Sequence, residues 1–224
     1  MKNFLRRLKY YGVGFGIGLI FVLVFFQNRG CSWLPDNRVK DAVLSRVIVV
    51  PADQAKSLDE KGIDASVIMD HLENGDVEFG NSEKSGPDKR YMISLDGQPD
   101  LHFTLPGESF VSAVYLNPPA DVSARSGKAK MIHFPPTNEL IYLDSTETLS
   151  CQMEALHWTE SDILEAMKKS GYLDFDKSSF SEVVKPIHYI ELINANDTLG
   201  IESLWYKEKI NVTAIIKPGL GNCD

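Results

Sequence analysis

Apolar and polar positions along this chain change rhythm in a fixed order, and the order occurs twice. Ala65, Ile68, Met69 and Leu72 fall at i, i+3, i+4 and i+7, the stripe of an amphipathic helix, with Asp64 placed as N-cap and Asn74-Gly75 as the stop. Behind Thr159, Glu160, Ile163, Leu164 and Met167 repeat that stripe and end at Ser170-Gly171. An earlier helix is expected at 53–61 in the first stretch, and at 146–156 after Asp144-Ser145 in the second. After each helix pair the rhythm becomes that of strands. The first set is Val77–Phe79, Arg90–Leu95, Leu101–Thr104 and Phe110–Leu116; the second is Tyr172–Phe175, His188–Ile193, Ile201–Tyr206 and Lys209–Lys217.

The two stretches also match residue by residue. Ile68 pairs with Ile163, Gly75 with Gly171, Ser82 with Ser178, Tyr91 with Tyr189, and Val111-Ser112-Ala113-Val114 with Val212-Thr213-Ala214-Ile215. The spacing widens along the chain, as it does when a duplicated unit drifts by small loop insertions. The predicted fold class is therefore α+β: two tandem, duplicated modules, each with two helices on one face of an antiparallel sheet, behind an N-terminal transmembrane helix. Boundaries follow from composition: a cytoplasmic stub and anchor at 1–30, a juxtamembrane linker at 31–45, a first module at 46–117, a polar linker at 118–130 and a second module at 131–224. Residues 131–143 supply either a bridging strand or one that opens the second copy.

The anchor is predicted from Tyr10 to Phe26, a run without charge that follows Lys2, Arg6, Arg7 and Lys9. Its basic flank places the N-terminus in the cytoplasm and the bulk of the chain outside, in a single pass through the cell membrane. Gln27-Asn28-Arg29-Gly30 suits neither signal-peptide cleavage nor lipidation at Cys31. Gly12, Gly14, Gly16 and Gly18 form overlapping small-xxx-small pairs, so span packing and a homodimer are candidate roles beside simple tolerance of glycine in a membrane helix.

Charge narrows the partners. Of 23 Lys and Arg, seven lie in residues 1–40 with one of the 31 Asp and Glu, which leaves the remainder at 16 basic against 30 acidic, near −14. So acidic a surface disfavours nucleic acid. The three cysteines include no C-x-x-C pair; Cys151 and Cys223 are a candidate disulfide, with inert thiols the alternative.

The glycine- and aromatic-rich start, Cys31 followed by Pro35-Asp36-Asn37-Arg38-Val39, a helix ending in glycine before a β-meander, and a cysteine in the C-terminal tail together resemble a bacterial membrane-anchored family built from a small repeated domain of unknown function. The resemblance spans nearly the whole chain and implies architecture only, with no functional residue attached to it.

Standard catalytic signatures are absent: there is no phosphate loop, G-x-S-x-G, H-E-x-x-H or dinucleotide glycine pattern. Glu154 and His157, three apart with Asp162 nearby, are the best metal-like set, but such a motif works in pairs on facing helices and here occurs once. His188 and Glu191 point to opposite faces of a strand. His71 is expected in a solvated cluster with Asp70 and Glu73, His102 toward solvent, and Ser82 and Ser178 in turns. No catalytic residue, metal or cofactor is assigned. The expected function is a membrane-anchored, outward-facing, non-catalytic binding or accessory protein for a protein or small ligand; the alternative is an extracytoplasmic hydrolase or ribonuclease-like domain with one degenerate copy.

Overall fold

The computed structural model describes residues 2–28, 34–86, 88–107, 109–121, 125–135, 141–143, 146–180, 186–194, 197–206, 209–217 and 223. The chain divides into two compact units, Met1–Arg38 and Val39–Asp224. The first contains helix α1 (Lys2–Asn28). Helix α2 (Pro35–Leu44) follows, where the composition suggested a linker, and its Val39 and Val43 are buried in the second unit.

Among the described residues no helix is long and apolar enough to cross a membrane. This corrects the expected transmembrane anchor at residues 10–26, and with it the membrane partner, the single-pass topology and the outward-facing location. The physical reason is length and composition: the uncharged run from Tyr10 to Phe26 covers roughly 25 Å at 1.5 Å per residue, against roughly 30 Å of hydrocarbon. Two tyrosines and four glycines dilute that stretch. A Cβ added to Gly12, Gly14, Gly16 or Gly18 meets nothing within 4 Å, and their expected span-packing role rests on a span that the described residues do not supply.

The second unit opens with β1 (Val47–Pro51), five residues buried on both sides. A continuous apolar run of this kind belongs to a strand covered on two faces, and alternation rules pass over it. Helices α3 (Ala52–Glu60) and α4 (Ala65–Asn74) come next, then β2 (Asp76–Val77), β3 (Asp88–Ser94), β4 (Leu101–Pro106) and β5 (Val111–Tyr115). A bridging strand β6 (Lys128–His133) leads to β7 (Ile141–Leu143), α5 (Glu147–Leu156), α6 (Glu160–Ser170), β8 (Gly171–Ser179), β9 (Ile187–Asn194), β10 (Asp197–Tyr206) and β11 (Lys209–Ile216). All eleven strands join one sheet, in the order β2-β3-β4-β5-β1-β6-β8-β9-β10-β11-β7.

Each half is therefore the same β-α-α-β-β-β-β unit with the same lateral order. In each, the opening strand lies parallel to the last: β1 with β5, and β7 with β11. The sheet is mixed, which corrects the expectation of purely antiparallel modules; a strand preceding the helix pair was not expected in the first copy. β6 pairs antiparallel with β1 on one side and β8 on the other, splicing the copies together. Following pair directions across the sheet, β8 runs opposite to its counterpart β2, and β7 opposite to β1.

Helix placement agrees with that reversal. Ile48 and Val50 of β1 pack with Val43, Leu58, Ile68 and Leu72, whereas Val47 and Val49 pack with Leu149, Ile163 and Met167. The helices of the two copies thus cover opposite faces, and a half-turn about an axis across the strands relates one copy to the other. Ile68 (1 % exposed) and Ile163 (0 %) fill equivalent positions, each burial worth roughly 1.5–3 kcal/mol.

Local signals set the helix ends. The Asp64 carboxylate accepts hydrogen bonds from the Ser66 and Val67 amides, and the Ser66 hydroxyl, the largest cause, holds it below its ordinary pKa with the Val67 amide next. Thr159 and Asp162 form a reciprocal capping box. Gly75 and Gly171 are enforced by space: a Cβ would lie 2.6 Å from the His71 carbonyl oxygen in one copy and 2.5 Å from that of Met167 in the other.

Candidate functional site

Two of the sequence candidates, His157 and Asp162, turn out to be structural. His157 adopts the left-handed conformation (φ 54°) that closes α5, the position Gly62 (φ 70°) holds after α3. Asp162 is taken by the Thr159 cap, so Glu154, His157 and Asp162 do not converge. Among the described residues no three His, Cys, Asp or Glu side chains gather to hold a metal.

Ser82 and Ser178 do identical work. Ser82 donates to the Glu78 carbonyl at 2.7 Å and accepts from the Met92 amide at 3.0 Å; Ser178 donates to Asp174 at 2.6 Å and accepts from Tyr189 at 3.0 Å. Each clasp pins the chain ahead of a turn to the next strand. It also corrects the alignment by one residue: Tyr189 corresponds to Met92, and Tyr91 to His188. Tyr91 lies in the core under the helices of its copy, while the Lys177 ammonium sits over the opposite-facing Tyr189 ring at 4.6 Å.

His71 is fully buried, contrary to the expected solvated cluster. Its Nδ1 lies 2.8 Å from the Val67 carbonyl and its Nε2 3.0 Å from that of Pro99, which ties α4 to the loop before β4. His102 is half-buried on β4; burial chiefly, and then Arg90, lower its pKa, while Asp100 opposes them. A shallow depression between β2 and β3, lined by Asn81, Ser82, Lys84, Ser85 and Arg90 among others, is partly closed by the Arg90–Glu83 pair at 3.7 Å. Cys151 and Cys223, separated by 72 residues, are joined as a disulfide that fastens α5 to the C-terminal tail.

A polar constellation lies between the copies, and the sequence pointed to His188 alone of its members. Ser109, in the turn between β4 and β5, places its Oγ 3.0 Å from Nε2 of His188 on β9, 79 residues away. His188 is wholly buried, stacked on Trp205 at 4.1 Å and met edge-on by Phe180 at 5.3 Å. The Trp205 indole donates to Ser203, whose hydroxyl donates to the His188 carbonyl. Burial pushes the imidazole pKa down to about 3, assisted by Arg125, so the ring is neutral.

Two guanidiniums stand beside it. Arg46 donates to the carbonyls of Pro106 (2.7 Å) and Ser109 (2.6 Å), fixing the turn that carries Ser109. Arg125 pairs with Asp88 at 2.6 Å and lies over the Phe180 ring at 5.6 Å. Burial first and then Arg125 lower the pKa of Arg46. Glu191 leaves on the opposite face, where Lys128 and Lys177 pair with it.

Among the described residues this is a Ser–His contact without the other parts of a nucleophilic site. A general base works best with a pKa near the operating pH, and a ring held near 3 is a poor proton acceptor. Among the described residues no carboxylate meets the ring; the backbone of Pro186 bears on it, opposing the lowered pKa. Ser109 is only 3 % exposed, which leaves an acyl or phosphoryl group no approach. The arrangement is suited to clasping the copies together. No family model matches this chain, and neither a curated protein nor a solved structure is significantly similar to it.

Proposed function

We propose that this chain is a non-catalytic binding or accessory protein, acting on a protein or small ligand through the surface of its fused sheet. One observation carries the reading: the two copies keep the polar residues that build backbone and diverge at those able to do chemistry. Ser82 and Ser178, and Gly75 and Gly171, serve the same local purpose in each half. His188, by contrast, replaces a tyrosine of the first copy, and His71 and His102 lie apart from it on α4 and β4.

The alternative, a hydrolase or ribonuclease-like domain with one degenerate copy, draws its support from the Ser109–His188 contact. Assay of the full chain against phosphodiester, ester and glycosidic reporters, with and without divalent cations, separates the two. The binding reading expects no turnover that Ser109→Ala or His188→Gln removes. Turnover abolished by either substitution, in a variant that remains folded, favours the hydrolase.

A further inference from the structure

At the depression between β2 and β3 the first copy departs from the second. In both, a backbone bridge follows the serine clasp: Glu83 with Arg90 in the first, Ser179 with Ile187 in the second. Counted from Ser82 and Met92, or from Ser178 and Tyr189, these positions are equivalent, so the bridge is built as well by isoleucine as by arginine. The backbone does not require Arg90, and its side chain is poorly satisfied where it lies. That side chain is only 21 % exposed, yet one of its five N–H donors alone is used among the described residues, from Nη1 to the Pro119 carbonyl at 3.3 Å. The Glu83 carboxylate stands 3.7 Å from Nη2, beyond hydrogen-bond distance. The buried Nε meets no partner among the described residues. A guanidinium held in that state costs stability until something fills its fork.

The groups around it donate. Lys84, Asn81 and Ser85 line the same depression and are exposed. The Lys84 ammonium lies 5.8 Å from the Phe79 ring, and among the described residues no carboxylate pairs with it. Ser82 is already committed to its clasp. Lys84 and Arg90 against Glu83 leave the lining at a net charge of +1, around a volume of about 630 Å³ that is ordinary for a small-ligand site. We propose that this depression binds a carboxylate, whose two oxygens accept from the Arg90 guanidinium in a fork with Lys84 beside them, in the place Glu83 now approaches. A monoanion suits that net charge better than a phosphate dianion. A small organic acid and an acidic side chain of a partner protein share this chemistry. The inference deepens the binding reading above and rests on it.

The probes are sodium propionate, a capped glycyl-glutamyl-glycine peptide and inorganic phosphate. Each is titrated at low salt into the isotope-labelled full chain, with the Arg90 Nε–H resonance and the 82–85 amides followed by NMR. A saturable shift at Arg90 is expected with propionate or the peptide, and the tighter of the two assigns the source as a small acid or a partner protein. Arg90→Ile installs the residue the second copy carries at this position, so the fold should persist while binding falls about tenfold or more, read at the 82–85 amides. Arg90→Lys keeps the charge and loses the fork, and should also weaken binding about tenfold. Glu83→Gln removes the competing carboxylate and should tighten binding about twofold to fivefold. No shift at Arg90, unchanged affinity in Arg90→Ile, or tighter binding of phosphate than of either carboxylate overturns the proposal. Failure here with no enzymatic turnover removes this site alone, whereas turnover lost with Ser109 or His188 removes the binding reading itself.

Discussion

Set side by side, the two halves of the sheet differ least where the backbone needs something and most where a side chain is free to vary. Both corners after the first helix are left-handed, yet the first copy uses Gly62 and the second His157. A glutamine of the first helix reaches the end of the last strand in each: Gln54 accepts from the Leu116 and Asn117 amides, and Gln152 from that of Ile215, although the two sit at different points of their helices. The first copy anchors its helix layer with Lys40, which donates to the Gly75 carbonyl at 2.8 Å; the second relies on the Cys151–Cys223 bond. Backbone geometry, more than any particular reagent, is what both halves preserve.

The comparison breaks most visibly at the paired glycines. Gly75→Ala and Gly171→Ala should each cost about 3 kcal/mol, because the new methyl meets a main-chain oxygen that cannot move aside. Urea midpoints would show it, and a cost confined to one copy would deny their equivalence. Replacing Cys151 and Cys223 together by serine should cost about 2–4 kcal/mol for a closure of 72 residues, a stabilisation with no counterpart in the first copy.

Acid provides a sharper distinction, since Tyr91 occupies in the first copy the place of His188. The folded-state pKa of His188 lies below that of the unfolded chain, so the unfolded state binds the extra proton. Stability from this group is complete above about pH 6.5 and is lost as pH falls toward 3, with a slope approaching about 1.4 kcal/mol per pH unit. His188→Phe, which retains an aromatic ring for Trp205, should flatten the profile of stability against pH by that one proton. An unchanged profile would mean the ring is not held neutral.

Smaller effects test the clasps and the corner. Ser82→Ala and Ser178→Ala should each lose about 1–2 kcal/mol, within about 0.5 kcal/mol of one another, as measured by denaturant midpoints. His157→Gly should gain up to about 1 kcal/mol by relieving a left-handed residue, visible as a raised melting temperature.

Much of this was legible in the residues themselves. Asp64, Thr159, Gly75 and Gly171 marked helix ends by local chemistry, and the matched serines announced the repeat. The strand β1 was not legible, because Val47–Pro51 is buried on both faces and shows no alternation. The placement of the two helix pairs on opposite faces was hidden as well, since it depends on β6 pairing with β1 and β8. Tyr91 and Tyr189 matched as letters but sit one position apart in the sheet. The Ser109–His188 contact joins a turn of one copy to a strand of the other, and no local pattern records such a meeting. The N-terminal run shows the opposite failure: absence of charge suggested a span that the described helix does not supply.

What ties these differences together is β6, which turns two copies into one sheet that should unfold as one body. Hydrogen exchange measured across a urea series, with the β3 amides reporting the first copy and the β9 amides the second, tests this directly. Fusion predicts that both sets lose protection at the same urea concentration. Loss of one set well before the other would contradict it, leaving two independent domains that merely share a border.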